Sequence, residues 1–205
     1  MRISLINAGK RYNREWIFRN LSYVFEPGGR YAITGSNGSG KSTLLQVIAG
    51  ALATSEGTVE YKDGEAPIPG EQCYQSISLC APYLELIEEM TALEFLRFHQ
   101  SFKPFQEGLD PESILGELSL SQAAHKQIRF FSSGMKQRIK LAQAIFADAP
   151  VLLLDEPCTN LDLAGIEQYH ALVEAYATRK LIIVSSNDPQ EYIFCPEVLK
   201  ISDWK

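Results

Sequence analysis

The chain has 205 residues, of which 45% are hydrophobic and 21% charged, a balance typical of one globular protein with a substantial core. Its formal net charge of −6 gives no electrostatic reason to expect nucleic acid or an anionic membrane surface as the main partner. No apolar run approaches the roughly 18 residues of a membrane-spanning helix, and the N-terminus turns polar too soon for a signal peptide. We therefore expect a cytoplasmic protein.

The N-terminal part of the chain alternates between apolar and polar side chains in the manner of β-strands. Ile3, Leu5 and Phe18 belong to this pattern, which predicts a small antiparallel sheet. Further short strands are predicted at residues 58–61 and 76–80.

A glycine-rich segment follows the apolar strand pattern at residues 31–34 and leads into a helix pattern. Its glycines let the backbone curl so that consecutive N–H groups point at phosphate oxygens. Lys41 would contact the β- and γ-phosphates, and Ser42 would offer its hydroxyl to Mg²⁺. ATP or GTP is therefore the first ligand to consider. The segment consists of Gly35, Ser36, Asn37, Gly38, Ser39, Gly40, Lys41, Ser42 and Thr43.

Residues 83–131 have a helical character and predict an inserted helical lobe. Thr91 and Glu94 have the spacing of a capping box at the start of a helix. The apolar face predicted for this helix consists of Met90, Leu93, Leu96 and Phe98.

Two continuous apolar runs, at residues 151–154 and 181–184, are typical of parallel strands covered on both faces. They indicate an α/β fold. Asp155 and Glu156 follow the first run, at the sheet edge where α/β proteins bind ligands. Asp155 would hold Mg²⁺, and Glu156 would orient and partly deprotonate the attacking water.

A turn of small residues at 131–135 leads into another helix pattern, and with it the chain resembles the ATP-binding domain of ABC transporters. The usual Leu-Ser-Gly-Gly-Gln signature of that family stands here as Phe131-Ser132-Ser133-Gly134-Met135. The remaining motifs follow in the family's order along nearly the whole chain. They are Tyr12 ahead of the glycine-rich segment, the Asp155-Glu156 strand, and Thr159-Asn160-Leu161-Asp162.

The resemblance implies one domain over residues 1–205, with a P-loop NTPase (RecA-like) core and an N-terminal antiparallel β subdomain. The core and β subdomain would occupy residues 1–82 and 132–205, and the helical lobe about 83–131. It also implies a head-to-tail dimer with a second ABC ATP-binding subunit, identical or different. ATP with Mg²⁺ would lie between one subunit's glycine-rich segment and Ser132, Ser133 and Gly134 of the other. Tyr12 would stack on adenine, and Asp162 would help to align the subunits.

By the same resemblance, the subunit would drive a separate integral-membrane permease and would sit on the inner face of the membrane through it. The acidic segment at residues 83–90 follows the position where the family's permeases dock. A solvated acidic helix face is the alternative interpretation.

Two positions depart from the family, and both belong near the γ-phosphate. Pro82 stands where the family has a glutamine, and proline offers neither a side-chain amide nor an N–H. Asn187 stands where the family has a histidine, and its amide donates a hydrogen bond but carries no charge. Because Lys41, Asp155 and Glu156 are present, we expect hydrolysis to be slow rather than abolished.

Two alternative functions remain open from the sequence. One is a soluble ABC ATPase without a transport role. The other is a hydrolysis-impaired partner that binds ATP in a heterodimer, an interpretation favoured by Pro82 and Asn187.

The cysteines and histidines give no pattern of a metal site or a disulfide framework. We expect reduced, partly buried thiols at Cys73, Cys80, Cys158 and Cys195. We expect solvated or half-buried side chains at His99, His125 and His170.

Overall fold

The computed structural model describes residues 1–205, which form an α/β fold with two sheets. The strands are β1 (Arg2–Tyr12), β2 (Glu15–Phe25), β3 (Arg30–Thr34), β4 (Glu56–Asp63), β5 (Ala66–Ile68), β6 (Ile77–Cys80), β7 (Val151–Asp155), β8 (Leu181–Ser185) and β9 (Glu197–Lys200). The helices are α1 (Lys41–Ile48), α2 (Ala92–Phe102), α3 (Pro111–Glu117), α4 (Ser133–Ile145) and α5 (Leu163–Tyr176).

The chain divides into two compact units. The first contains residues 1–79, 149–156 and 179–205, and the second contains residues 80–148 and 157–178. The second unit therefore includes α4 and α5 as well as α2 and α3.

The antiparallel sheet of the first unit has the strand order β2-β1-β4-β5. Strands β1 and β2 form a hairpin in which Tyr12 pairs with Glu15. Ile3, Leu5 and Phe18 are buried on the core side of this sheet, as their alternation predicted.

The second sheet has the strand order β6-β7-β8-β3-β9, and its pairs β7–β8, β8–β3 and β3–β9 are parallel. Every residue of β7 and β8 is buried, which explains their continuous apolar sequences and confirms the prediction of parallel strands. The carboxyl ends of β3 and β7 lead directly into the glycine-rich segment and Glu156. The residues that the sequence singled out in these two segments thus follow strands of one parallel sheet.

The second unit is helical. The capping box at the start of α2 is confirmed, because Thr91 Oγ1 accepts a hydrogen bond from the Glu94 N–H and Glu94 Oε2 accepts one from the Thr91 N–H. The predicted apolar face is wrong in part. Met90 precedes the helix and Phe98 is exposed, while the buried residues are Ala92, Leu93, Phe95 and Leu96.

None of the four cysteines forms a disulfide, and all four are buried. The histidines are placed as predicted: His99 and His170 are half-buried and His125 is exposed. None of the helices is both long enough and apolar enough to cross a bilayer.

Candidate nucleotide site

The glycine-rich segment is a tight loop between β3 and α1. Gly38 and Gly40 have φ angles of +77° and +102°, in the left-handed region that favours glycine. A Cβ on Gly40 would lie 2.1 Å from Cγ2 of Ile17, so this position has no space for a side chain either. Gly40 is the N-cap of α1 and provides no side-chain cap. The first N–H groups of the helix are therefore left for an anion.

Lys41 lies under the loop and is only 5% exposed. Its Nζ donates hydrogen bonds to the carbonyl oxygen of Gly35 at 2.9 Å and to that of Ser36 at 3.4 Å. The ammonium charge is thus fixed at the loop before any ligand is present. A buried ammonium group held in this way suits an incoming phosphate.

A cavity of about 230 Å³ opens against the loop and α1. It brings the carboxylate residue Glu156, from the end of β7, to the same space as Lys41 and Ser42. Ile17 of β2 also lines this space, and sequence reasoning missed it. The only signal was a run of three apolar residues at 16–18, which departs from strict alternation. The lining residues are Ile17, Asn37, Gly38, Gly40, Lys41, Ser42, Thr43 and Glu156.

Three polar atoms in this part of the first unit are buried without a hydrogen-bond partner. They are Ser39 Oγ, Asp155 Oδ1 and Ser185 Oγ. Asp155 is only 1% exposed, and a buried carboxylate oxygen without a partner is costly unless a ligand completes it. A carboxylate and a hydroxyl are the oxygen ligands that Mg²⁺ prefers. Asp155 and Ser42 therefore fit the ion.

Glu156 has a φ angle of +44°, which is unusual for a residue with a side chain. Its N–H donates to the carbonyl oxygen of Ser185 at 2.9 Å and thereby holds this backbone in place. The left-handed conformation ends the regular alternation of the strand at this residue, so the side chain of Glu156 is not constrained to the face opposite that of Asp155. Strain of this kind is often found at functional residues.

Asn187 lies just after β8, and both ends of its amide bind the loop. Its Oδ1 accepts a hydrogen bond from the Gly35 N–H at 3.2 Å, and its Nδ2 donates to Asn37 Oδ1 at 3.0 Å.

The signature segment lies in the second unit, at the start of α4. Ser132 is the N-cap of this helix, and its Oγ accepts a hydrogen bond from the Met135 N–H at 3.3 Å. Ser132 and Ser133 are exposed. They border a cavity of about 300 Å³ together with Gly134, Asn160 and other neighbours.

Asp162 borders the same cavity and caps α5, with its Oδ1 accepting a hydrogen bond from the Gly165 N–H at 2.8 Å. Arg138 of α4 lies 3.8 Å from this carboxylate. The structure thus brings Asp162 together with the signature segment.

Two further predicted residues do not line the cavity at the loop. Tyr12 lies at the end of β1 and is 48% exposed, with Lys10 Nζ 5.5 Å from its ring. Pro82 belongs to the second unit, where its carbonyl oxygen accepts a hydrogen bond from Lys140 Nζ at 3.0 Å.

Gln137 of α4 is a polar residue that sequence reasoning missed. It is 4% exposed, and its Nε2 donates to the carbonyl oxygen of Pro157 at 2.7 Å. The only sequence signal for its role was a polar side chain in the second turn of α4. Its bond ties the signature helix to the residue that follows Glu156.

The chain resembles several known proteins in sequence. A family model described as ABC transporter matches residues 18–159. An uncharacterized ABC transporter ATP-binding protein of Bacillus subtilis, YybJ, is 31% identical over 93% of this chain and 88% of its own length. The cytochrome c biogenesis ATP-binding export protein CcmA of Rhizobium etli is 32% identical over 91% of this chain and 87% of its own length.

Solved structures match the fold. A putative ABC transporter ATP-binding protein from Pyrococcus furiosus superposes with a TM-score of 0.82 over all of both chains, at 18% identity. The ATP-binding cassette MJ0796, in a dimeric post-hydrolysis state with ADP and phosphate, gives a TM-score of 0.82 at 22% identity over 97% of this chain and 93% of its own.

Proposed function

Since the chain belongs to the ABC transporter family, we propose that it works as one of two ATP-binding subunits that jointly enclose ATP and drive a separate permease. The chain is an ATP-binding, ATP-hydrolysing subunit of an ABC transporter. The observation that carries the proposal is the cavity that Lys41, Ser42 and Glu156 share at the glycine-rich loop.

Each residue has a separate task in the proposed reaction. Lys41 and the first N–H groups of α1 bind the phosphates. Asp155 and Ser42 hold Mg²⁺, which supplies charge neutralisation when bound. Glu156 accepts a proton from the water that attacks the γ-phosphorus, and the bond from that phosphorus to the bridging oxygen breaks.

Two departures from the family support a slow rate. Pro82 offers only a carbonyl oxygen, which Lys140 already contacts, and the Asn187 amide is neutral. Loss of one hydrogen bond from a preorganised site typically costs about 2.7–4 kcal/mol, or a factor of about 10²–10³ in rate. Pro82 and Asn187 therefore favour slow hydrolysis, while Glu156 remains as the proposed general base.

A second copy of the chain is sufficient as the partner, because one copy carries both halves of the site. The exposed serines lie at the N-terminus of α4, a helix of 13 residues. The N-terminus of such a helix favours binding of an anion. In a two-fold dimer, the loop of each subunit meets the signature of the other.

Mixing two inactive variants tests this arrangement. Lys41→Ala disables the loop, and Ser133→Asp places a negative charge at the signature while leaving α4 intact, since an acidic residue suits a helix N-terminus. Each variant alone should lack ATPase activity. In a head-to-tail mixed dimer one site keeps both native halves, so about a quarter of wild-type activity should return if the copies pair at random. No recovery would contradict sharing of the site between two copies.

The acidic segment at residues 83–90 is our proposed permease contact. Tyr83 and Ile87 expose 46% and 37% of their surface, and Glu85 and Glu89 are exposed beside them. Glu89→Lys should weaken copurification with the permease, whereas the same change at the exposed Glu65 on the first unit should not. Equal loss with both variants would argue against a specific contact here.

A further inference from the structure

The amide of Asn187 bridges two points of the glycine-rich loop. Its Oδ1 accepts the Gly35 N–H at 3.2 Å, and its Nδ2 donates to Asn37 Oδ1 at 3.0 Å. The orientation of the amide follows from the chemistry, because the Gly35 N–H can only donate and therefore requires the oxygen. Both ends of the side chain are thus in use on the loop itself.

The backbone around Asn187 is held in place. The Ser186 N–H donates to the carbonyl oxygen of Ile33 at 3.1 Å, which fixes the residue before Asn187 to β3. The Asp188 N–H donates to Ser186 Oγ at 2.9 Å, and this bond closes a short turn around Asn187. The amide therefore reaches the loop from a fixed base.

The loop needs such support. Gly35, Gly38 and Gly40 give it more conformational freedom than other residues would, and this freedom is lost when a ligand orders it. An external side chain that holds the first glycine and Asn37 in the binding shape reduces that loss.

We propose that Asn187 is a positioning residue that holds the glycine-rich loop in its phosphate-binding shape through Gly35 and Asn37. This role differs from a hydrogen bond to the γ-phosphate, which the family resemblance implies for this position. The inference rests on the proposed function, since it requires that the loop binds nucleotide.

The two roles differ in their effect on ADP. A residue that shapes the loop supports every nucleotide whose phosphates the loop binds, whereas a contact to the γ-phosphate is absent in the ADP complex. Loss of two partly exposed neutral hydrogen bonds should weaken binding by about 5- to 30-fold. Asn187→Ala should therefore weaken the binding of ADP and of a non-hydrolysable ATP analogue by the same factor.

Titration calorimetry with Mg-ADP and with the Mg-bound analogue measures both affinities on the full chain. Ile193→Ala is a matched control, because Ile193 is in the same segment and is 76% exposed. It should bind both nucleotides like the wild type. Unchanged ADP affinity in Asn187→Ala, with loss only for the triphosphate or only in kcat, would overturn the inference. A wild-type chain that binds neither nucleotide would instead refute the proposed function, and this inference with it.

A double-mutant cycle gives a second measurement. If Asn187 acts through Asn37, the Asn187→Ala change should weaken ADP binding less in an Asn37→Ala background than in the wild type. Fully additive effects of the two changes would count against the bridge. Thermal unfolding of each variant without nucleotide identifies any loss of fold. If Asn187→Ala does not fold, Asn37→Ala removes the same hydrogen bond from its other end and should weaken binding of ADP and of the ATP analogue by the same factor.

Discussion

Asp155 and Ser185 are paired residues of the parallel strands β7 and β8, and each has a buried side-chain oxygen without a hydrogen-bond partner. Side chains of paired residues in parallel strands share a face of the sheet. The nucleotide-free chain therefore carries an uncompensated pair of polar groups, one of them a carboxylate, at the edge where the loop begins.

Asp155→Asn should stabilise the nucleotide-free chain and weaken its response to ligand. Removing a buried charge with an unpaired oxygen should raise the free energy of unfolding by about 1–3 kcal/mol. The same change replaces a proposed carboxylate ligand of Mg²⁺ by a neutral amide oxygen, so Mg-ADP should add less stability than it adds to the wild type. Urea unfolding with and without Mg-ADP measures both effects. A destabilised variant with a normal Mg-ADP response would contradict the assignment.

Glu156→Gln should lower the ATPase rate by about 10²–10⁴-fold, the usual contribution of a general base. Its affinity for ADP should stay close to that of the wild type, because the phosphate-binding groups are unchanged. With ATP, the variant should accumulate as a dimer, which its mass in solution reports. Equal background release of phosphate from both proteins would mean that the site only binds nucleotide.

Gly57→Ala should destabilise the first unit much more than Gly64→Ala. Both glycines have left-handed φ angles, +69° and +56°, so an alanine at either position has a backbone cost of about 1–2 kcal/mol. At Gly57 a Cβ would also lie 2.2 Å from the carbonyl oxygen of Asn7, whereas at Gly64 nothing lies within 4 Å. Urea unfolding compares the two variants. Equal losses would show that the contact with Asn7 has no cost.

Below pH 6.5, part of the stability of the chain should be lost through His99. Burial lowers the pKa of His99 from its usual value of 6.5, the positive Lys103 lowers it further, and His99 Nε2 has no partner. As the pH falls below 6.5 the unfolded chain takes up this proton before the folded chain, so the free energy of unfolding decreases. His99→Gln should make the free energy of unfolding depend less on pH between pH 7.5 and 5.5. The same slope in the wild type and in His99→Gln would contradict this cause.

The thiols should resist labelling while the chain is folded. All four cysteines are buried, and burial raises the pKa of the Cys195 thiol to about 12. A disulfide reagent at pH 8 reacts with thiolate, so it should label almost none of the four thiols until denaturant is added. Rapid labelling of the folded chain would show that a thiol is accessible.

Sequence reasoning succeeded where local chemistry decides the structure. The apolar runs of β7 and β8 and the capping box of Thr91 and Glu94 depend on neighbours in sequence, and both predictions are confirmed. The antiparallel sheet was also predicted from alternation. Strand β9 was missed because Leu199 is its one buried residue, too little for a periodic signal.

The features of the site and of the fold that were missed depend on contacts between segments that are distant in sequence. Asn187 was identified as a site residue, but its partners Gly35 and Asn37 lie 152 and 150 positions away. Phe98 was assigned to a buried face because its spacing fits, yet it is 42% exposed. Which surface a helix buries is decided by its neighbours in space, which spacing alone does not identify.

The close approach of Gly40 to Ile17 has a consequence for how this loop can vary. Position 17 belongs to β2 of the antiparallel sheet, yet its methyl group occupies the place that a side chain at position 40 would need. Enlarging Ile17 would push on the turn proposed to bind the phosphates, and an Ile17→Ala change would remove the side chain that packs against that turn. The hairpin of β1 and β2 is therefore a means by which a substitution outside the glycine-rich loop can tune how tightly the loop would bind nucleotide.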